Sequence, residues 1–338
     1  MSQFLVNSSP HIRSEETTRS LMTDVIIALL PALAGAVIFF GFRSLFLVLV
    51  TVASCLAAET LFNRIVKRKN TVDDRSAIIT GILLAFNLPV TAPYWLAMIG
   101  AFFAIVIVKM LFGGLGRNFL NPALAARAFL FSWPGLMTSF TAPFQEIYSQ
   151  LGFIFGNPVA VNGVLPEEID AIACATPLKN LKQGLLPDAS LGDLFVGNVG
   201  GCLGETSALL LLLGGVYLLL RKVITWHIPV SYLGTVAVLT VLFPRGEGSA
   251  VAYMAAELCS GGLMLGAIFM ATDYTTSPVT RTGRLIYGIG CGFLTVFLRY
   301  FGGYAEAVSY SILIMNVVTL AIDRLVKPKR YGIGGGRL

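Results

Sequence analysis

The chain of 338 residues is 56% hydrophobic and only 12% charged, whereas charged residues make up about a quarter of an ordinary soluble domain. A chain this apolar would expose large apolar patches to water, so the composition excludes a soluble protein and indicates an integral membrane protein. The net charge of +6 reflects the position of the basic residues relative to a bilayer rather than binding to nucleic acid.

Ten apolar runs predict membrane-spanning helices. A span needs about 20 apolar residues, and fewer where the helix is short or re-entrant. Helices are expected because an open sheet edge cannot lie in lipid. The opening residues are polar and lack a cleavable signal-peptide pattern, so we expect the first run to be a retained span. The runs cover residues 23–42, 44–62, 77–88, 94–112, 122–131, 204–220, 226–243, 253–271, 285–300 and 309–322.

The basic residues predict the orientation of these spans, because lysine and arginine are enriched on the cytoplasmic side. With the N-terminus in the cytoplasm, 17 of the 24 basic residues fall inside and five outside, while Lys109 and Arg127 lie in or beside spans. This asymmetry predicts a multi-pass protein of the cell membrane with both termini in the cytoplasm. The outer basic residues are Arg43, Lys179, Lys182, Arg245 and Arg299.

Five predicted spans precede a long polar interval and five follow it. A repeat with an odd number of spans inserts in opposite orientations, so the count predicts two inverted five-helix repeats. Gly113-Gly114 follows the fourth span and Gly302-Gly303 the ninth, although close helix packing would explain such glycines equally well. The predicted units are a cytoplasmic N-terminus (1–22), a first repeat (23–131), an extracytoplasmic loop (132–203), a second repeat (204–322) and a cytoplasmic basic tail (323–338).

The run Gly-Gly-Leu-Gly-Arg-Asn-Phe-Leu-Asn-Pro-Ala, which begins at residue 113, has the most unusual backbone preferences in the chain. Its glycines permit a tight turn or the close approach of a planar ligand. Asn121 is expected to cap the fifth helix, with Pro122 in its first position. A helix N-terminus aimed into the protein favours an anion or a carbonyl oxygen; a re-entrant turn without a ligand is the alternative. The candidate ligand-binding residues are Gly113, Gly114, Gly116, Asn118 and Asn121.

The eighth span ends in an acid and several hydroxyl groups, and further acids lie in or near other spans. The acid and hydroxyl groups at the end of the eighth span could hold the polar edge of a flavin, or they could hold a cation. The alternative is a capped helix end followed by a Ser/Thr turn. An ionisable group within a membrane is costly and is therefore a candidate for function. The flavin candidates here are Thr272, Asp273 and Ser277, and the ion-pathway candidates are Asp24, Glu59, Glu257 and Asp273.

The cysteines and histidines argue against other redox groups. The five cysteines stand alone, without the spacing of a metal site or an iron–sulfur cluster. Two histidines, His11 and His227, are hard to place facing each other across a bundle as a membrane haem needs. If electrons pass through this chain, a flavin is the plausible carrier.

The predicted loop contains a candidate attachment point for such a group. Thr176 offers a hydroxyl that can be esterified to a phosphate, and Pro177 favours an extended conformation at the residue before it. Asp170 could help to bind a metal or polarise the hydroxyl during the modification. A plain turn is the alternative interpretation of these residues.

Taken together, these motifs resemble the D subunit of the Rnf complex, an ion-translocating ferredoxin:NAD oxidoreductase, and are similarly related to the B subunit of the sodium-pumping NADH:quinone oxidoreductase. The resemblance covers nearly the whole chain. Besides the runs at 113–123 and 272–273, it rests on Ser-Pro-His-Ile-Arg at 9–13, Met-Thr-Asp-Val at 22–25, Leu-Leu-Pro-Ala at 29–32, Asp-Arg-Ser-Ala at 74–77 and Thr-Gly-Ile-Leu-Leu at 80–84.

The resemblance implies that a flavin transferase esterifies FMN to the threonine of an Asp-x-x-(Ser/Thr)-(Gly)-Ala-Thr pattern. By position, Asp170, Ala175 and Thr176 match that pattern, whereas Ala173 and Cys174 depart from it. It further implies a non-covalent riboflavin among the helices, for which the glycine–asparagine run is the candidate. The implied fold is an all-α, ten-helix protein with two inverted five-helix repeats, like urea and ammonium transporters.

The leading hypothesis is an electron-transfer subunit that holds FMN on the outer face and couples electron flow between ferredoxin and NAD to Na⁺ or H⁺ movement. The chain has no NAD-binding pattern, cluster-binding cysteines or complete active site, so it would need the Rnf subunits A, B, C, E and G. Surrounding lipid is the other expected partner, and nucleic acid is not. The alternatives are a stand-alone small-solute transporter or channel, and a purely structural subunit; both would lack flavin.

Overall fold

The computed structural model describes residues 16–68, 71–145, 148, 151–156, 176–205, 207–245, 249–303 and 306–327. Within these ranges the chain is all-helical, without an extended strand, and several of its helices are long and apolar enough for a membrane. This architecture fits an integral membrane protein. Asp170, Ala173, Cys174 and Ala175 lie outside the described residues.

Five helices form the first half of the fold, and two short helices follow them. The fourth helix continues without interruption into a π-helical segment, Phe103–Met110. The helices are α1 (Thr18–Phe40), α2 (Phe42–Ile65), α3 (Ser76–Phe86), α4 (Tyr94–Phe102), α5 (Pro122–Leu130), α6 (Pro134–Met137) and α7 (Leu151–Phe155).

The second half begins with two short helices, and one of its later helices again continues as a π-helix, Gly266–Met270. The helices are α8 (Pro177–Lys182), α9 (Leu191–Val196), α10 (Ala208–Leu220), α11 (His227–Leu242), α12 (Ala250–Cys259), α13 (Leu263–Leu265), α14 (Arg281–Phe301) and α15 (Val308–Leu325).

Each of the ten predicted runs coincides with helical structure, but the helices differ in length. Four of them, α1, α2, α14 and α15, are long and apolar enough to cross a membrane. The eighth predicted span, residues 253–271, coincides with a pair of helices separated by a break. Helices α12 and α13 meet at an angle of 65°, because Ser260 is extended and Gly261 has a φ of +67°, a conformation that glycine adopts without a steric penalty.

The two halves of the fold pack against each other at two pairs of helices. Helix α1 packs on α10, and α5 packs on α15, while α2 contacts α3 and α4 and α11 contacts α14. A Cβ atom on Gly214 would collide with the carbonyl of Ala28 where α1 and α10 cross. At this crossing, glycine therefore serves close helix packing, as the simpler interpretation of the glycines holds.

Two of the basic residues assigned to the outer side are buried. Arg43 donates hydrogen bonds to the carbonyl oxygens of Val90 at 2.7 Å, Ala92 at 3.0 Å and Phe153 at 2.5 Å. Arg299 is 3% exposed and is paired with Glu257. Both cations are satisfied inside the protein, so they support the predicted orientation less than solvated loop residues would.

Candidate functional site

The two polar runs singled out in the sequence meet across the molecule. Asn118 Nδ2 lies 3.1 Å from Thr275 Oγ1, and Asn121 Nδ2 donates to the carbonyl of Met270 at 3.3 Å. These asparagines line a cavity of about 760 Å³ together with Thr272. We call it the asparagine cavity.

Asn121 joins this cavity to helix α5. Its Oδ1 accepts hydrogen bonds from the backbone amides of Ala123 at 3.1 Å and Leu124 at 3.3 Å, and Pro122 occupies the first position of the helix. The predicted N-cap is confirmed. Because the asparagine side chain already satisfies two amides of this terminus, fewer remain for a bound anion.

The glycines of the same run form the turn that precedes α5 and do not line the cavity. Gly113, Gly114 and Gly116 have φ values of +114°, +95° and +87°. Only Leu115, between them, reaches the cavity wall. A Cβ on Gly114 or Gly116 would meet nothing within 4 Å. Glycine is therefore favoured at these positions by the backbone conformation of the turn and not by close contact with the cavity.

The hydroxyl-rich run divides between two cavities. Thr272 and Asp273 line the asparagine cavity, whereas Ser277 lines an adjoining cavity of about 280 Å³ beside Arg284, whose wall also includes Thr272. Asp273 accepts hydrogen bonds from the amide and hydroxyl of Thr275 at 3.2 and 3.1 Å. The run is thus a capped turn that also presents a polar edge to the asparagine cavity.

Thr176 lies at a second cavity, of about 680 Å³, which we call the threonine cavity. The residue is half-buried and extended, with φ of −70° and ψ of 148°, directly before helix α8. Its side chain makes no capping hydrogen bond to that helix. The extended conformation that Pro177 predicts is confirmed, and the hydroxyl is not used as a cap.

A buried ion pair lines the threonine cavity. Arg127 is 2% exposed and donates to Glu205 Oε1 at 2.6 Å and to Asn87 Oδ1 at 2.5 Å. Glu306 lines the same cavity. Sequence reasoning left Arg127 without a role and did not propose Glu306. The available signal was a charged residue within the apolar run of the fifth helix.

Helix α5 connects the two cavities. Asn121, Pro122 and Ala123 line the asparagine cavity, and Arg127 and Phe131 line the threonine cavity. At 1.5 Å per residue, Ala123 and Arg127 are separated by about 6 Å along the helix. The cavities therefore lie at opposite ends of one short helix.

Three of the four predicted ion-pathway acids are held by a basic partner. Asp24 lies 3.1 Å from Arg221, and Glu59 lies 2.9 Å from Lys109. Glu257 pairs with Arg299, as described above. Asp273 has no ion pair among the described residues. The basic partners, which the sequence-based proposals omitted, show that these acids contribute to the buried charge balance of the fold.

Candidate metal ligands are dispersed. In the described ranges no group of three or more His, Cys, Asp and Glu side chains could hold a metal ion. Cys55, Cys202, Cys259 and Cys291 are free thiols.

Comparisons with known proteins cover nearly the whole chain. The model of the NQR2, RnfD, RnfE family matches residues 5–332. The D subunit of the Na⁺-translocating ferredoxin:NAD⁺ oxidoreductase complex of Acetobacterium woodii is 50% identical over 332 residues, which are 97% of this chain and 95% of that protein.

Two further relatives have similar coverage. The D subunit of the proton-translocating ferredoxin:NAD⁺ oxidoreductase complex of Clostridium ljungdahlii is 38% identical, over 97% of this chain and 96% of the relative. The D subunit of the ion-translocating oxidoreductase complex of Salmonella paratyphi A is 37% identical, over 97% and 98%. With the family match over almost every residue, the chain belongs to the NQR2, RnfD, RnfE family.

Proposed function

We propose that this protein is the membrane electron-transfer subunit of a Rnf-type complex. It carries FMN covalently on Thr176 and couples electron flow between ferredoxin and NAD to the translocation of Na⁺ or H⁺. The family match and the names of the relatives support the assignment to such a complex. The observation that carries the flavin assignment is that half-buried Thr176 lines the threonine cavity and its side chain makes no capping hydrogen bond to helix α8.

The residues of the threonine cavity fit a flavin. Phe131 and Phe140 provide apolar surface, and the consecutive glycines 200 and 201 contribute backbone without side chains to the cavity lining. Arg127 supplies a buried positive charge that would stabilise a phosphate or an electron-rich ring. FMN, when bound, supplies the electron storage; the protein fixes its position and adjusts its potential.

The asparagine cavity is the proposed site of the non-covalent riboflavin. Its walls combine apolar surface, including Leu83 and Phe269, with the polar edge formed by Asn118, Thr272 and Asp273. This combination suits a planar ring with hydrogen-bonding groups along one side. The fold positions this edge by joining the two polar runs across the molecule.

The full topology is also part of the proposal: two inverted five-helix repeats like those of urea and ammonium transporters, both termini in the cytoplasm, and Thr176 on the outer face. The two halves share one feature that supports it. Lys109 and Arg299 are each buried near the end of the fourth helix of a half, and each is paired with a glutamate. A Gly-Gly pair begins four residues after Lys109 and three residues after Arg299.

The proposed partners are the Rnf subunits A, B, C, E and G, together with the flavin transferase that matures Thr176. The chain supplies the flavin cavities, whereas the sites for NAD and ferredoxin would lie on those other subunits. The domain boundaries at residues 23, 132, 204 and 323 belong to the same proposal.

The flavin assignment is tested on a denaturing gel viewed for flavin fluorescence. The full chain is produced in cells with an active flavin transferase, beside Thr176→Ala and the control Thr138→Ala, which changes another threonine at the same cavity. Fluorescence is expected in the parent and control bands and absent from Thr176→Ala. A dark parent band would contradict the assignment and favour a small-solute transporter. A fluorescent Thr176→Ala band would contradict Thr176 as the attachment point.

A further inference from the structure

The break between helices α12 and α13 opens onto the threonine cavity. Residues 260–262 separate the helices, and Ser260 and Gly261 line the cavity wall. Non-helical backbone at membrane depth is tolerated where it lines a cavity or is buried in protein. Broken helices are also where membrane transporters bind their coupling ions.

Two carboxylates converge on this break. Glu205 Oε1 and Glu306 Oε1 lie 2.7 and 3.5 Å from the position that a Cβ atom on Gly262 would occupy. The amide of Gly262 donates to Glu306 Oε2 at 3.1 Å. The absence of a side chain at residue 262 thus leaves room for both carboxylates over the same stretch of backbone.

The charges around the break do not cancel. Glu205 is paired with Arg127, but Glu306 has no Lys, Arg or His nitrogen within 4.0 Å in the part of the chain that the structure describes. The cavity lining therefore contains two carboxylates and one cation. The neighbouring Arg299 is matched by Glu257. Glu306 Oε1 also accepts a hydrogen bond from the amide of Val308 at 3.3 Å, and the group around the break has one carboxylate more than it has cations.

A buried hydroxyl provides a second, independent indication. Ser260 is 2% exposed, lines the threonine cavity, and its Oγ has no hydrogen-bond partner among the described residues. A buried polar group without a partner costs free energy comparable to a lost hydrogen bond. A cation in the cavity that is coordinated by the Ser260 hydroxyl oxygen would offset the free-energy cost of leaving that oxygen without a partner.

We propose that the broken helix is a binding site for one Na⁺ ion, formed by the carboxylates of Glu306 and Glu205 and the hydroxyl of Ser260. Hard cations prefer oxygen ligands of this kind. A monovalent ion balances the single excess charge, whereas a divalent ion would overcompensate it. A proton shared between the carboxylates would leave the Ser260 hydroxyl unused.

Binding at this site does not require a flavin, but a role in translocation rests on the proposed function. The ion and Thr176 would share one cavity, so negative charge added to a group on Thr176 would favour the bound cation. The site thus offers a direct electrostatic link between the redox group and the ion.

The test measures the thermal unfolding of the purified full chain in nanodiscs as Na⁺ replaces choline at constant ionic strength, because a ligand of the native state raises the unfolding temperature. Glu306→Gln and Ser260→Ala are compared with Asp193→Asn, which changes a partly exposed carboxylate on α9 that does not line the threonine cavity. Glu306→Gln is expected to raise the Na⁺ concentration for half of the effect about tenfold or more, equivalent to about 1.4 kcal/mol. Ser260→Ala should raise it by a smaller factor, and Asp193→Asn should leave it unchanged.

The same titration of Thr176→Ala and of the parent chain, both produced without a flavin transferase, separates this proposal from the flavin assignment, because the two Na⁺ responses should match. A parent chain that does not respond to Na⁺ would overturn the ion site. So would an unchanged half-effect concentration in both Glu306→Gln and Ser260→Ala. If Glu306→Gln does not fold, Ser260→Ala alone decides between these outcomes.

Discussion

The asparagine and threonine cavities are similar in size, about 760 and 680 Å³, but differ in how their polar groups are used. In the first, Asn121 and Asp273 are hydrogen-bonded to the protein itself, and Asn118 Nδ2 lies 3.1 Å from Thr275 Oγ1, while Asn118 Oδ1 has no partner among the described residues. In the second, Thr176 makes no cap and Ser260 has no partner in the described chain. The first cavity is suited to hold a molecule by shape and a bonded polar edge. The second retains groups available for covalent attachment and for a cation.

The largest expected effect comes from breaking the charge pair of the threonine cavity. Arg127→Met leaves Glu205 buried without its partner, which should destabilise the protein by about 3–5 kcal/mol. Chemical denaturation in a mild detergent measures the loss of unfolding free energy. The double variant Arg127→Met/Glu205→Met should recover most of it. A single variant as stable as the parent would show that the pair contributes no more than solvated surface charges.

An intermediate effect is expected at the asparagine cavity. Asn121→Ala removes the cap of α5, at a cost of about 0.5–2 kcal/mol, and its bond to Met270. The flavin released by denaturation should decrease, whereas the covalent fluorescence on Thr176 should remain. Chromatography of the released flavin beside the denaturing gel measures both. Equal loss of the two signals would show that the cavities do not hold separate flavins.

The smallest effect on flavin content is expected from the turn before α5. Gly114→Ala places a side chain at a positive φ, which costs about 1–2 kcal/mol, but the added Cβ meets nothing within 4 Å. Stability should decrease slightly, and the content of both flavins should stay unchanged. A specific loss of riboflavin, quantified per chain, would instead indicate that the glycines contact a ligand.

Local features of the fold were predictable from the sequence. Apolar runs identified the helices, Asn121-Pro122 identified the start of α5, and Pro177 predicted the extended Thr176. In each case the physical cause lies within a few residues of its effect. The turn at Gly113–Gly116 was anticipated for the same reason, with its ligand role left open.

Other features depend on contacts between distant residues. Arg127 and Glu205 are 78 positions apart, and Asp24 and Arg221 are 197 apart, so no local pattern indicates which charges pair. The sequence also did not indicate that the helix is interrupted at residues 260–262. Glycines in an apolar run are equally consistent with a continuous, closely packed helix, and the carboxylates that converge on the break come from other segments.

The shortness of helix α5 has an electrical consequence. Nine residues give a length of about 14 Å, less than half of the roughly 30 Å hydrocarbon core. A membrane voltage falls mainly across regions from which water and ions are excluded. With solvated cavities at both ends of α5, the voltage would be concentrated along this helix. A charge moved beside α5 would then experience much of the roughly 2.3 kcal/mol per 100 mV available across the whole membrane.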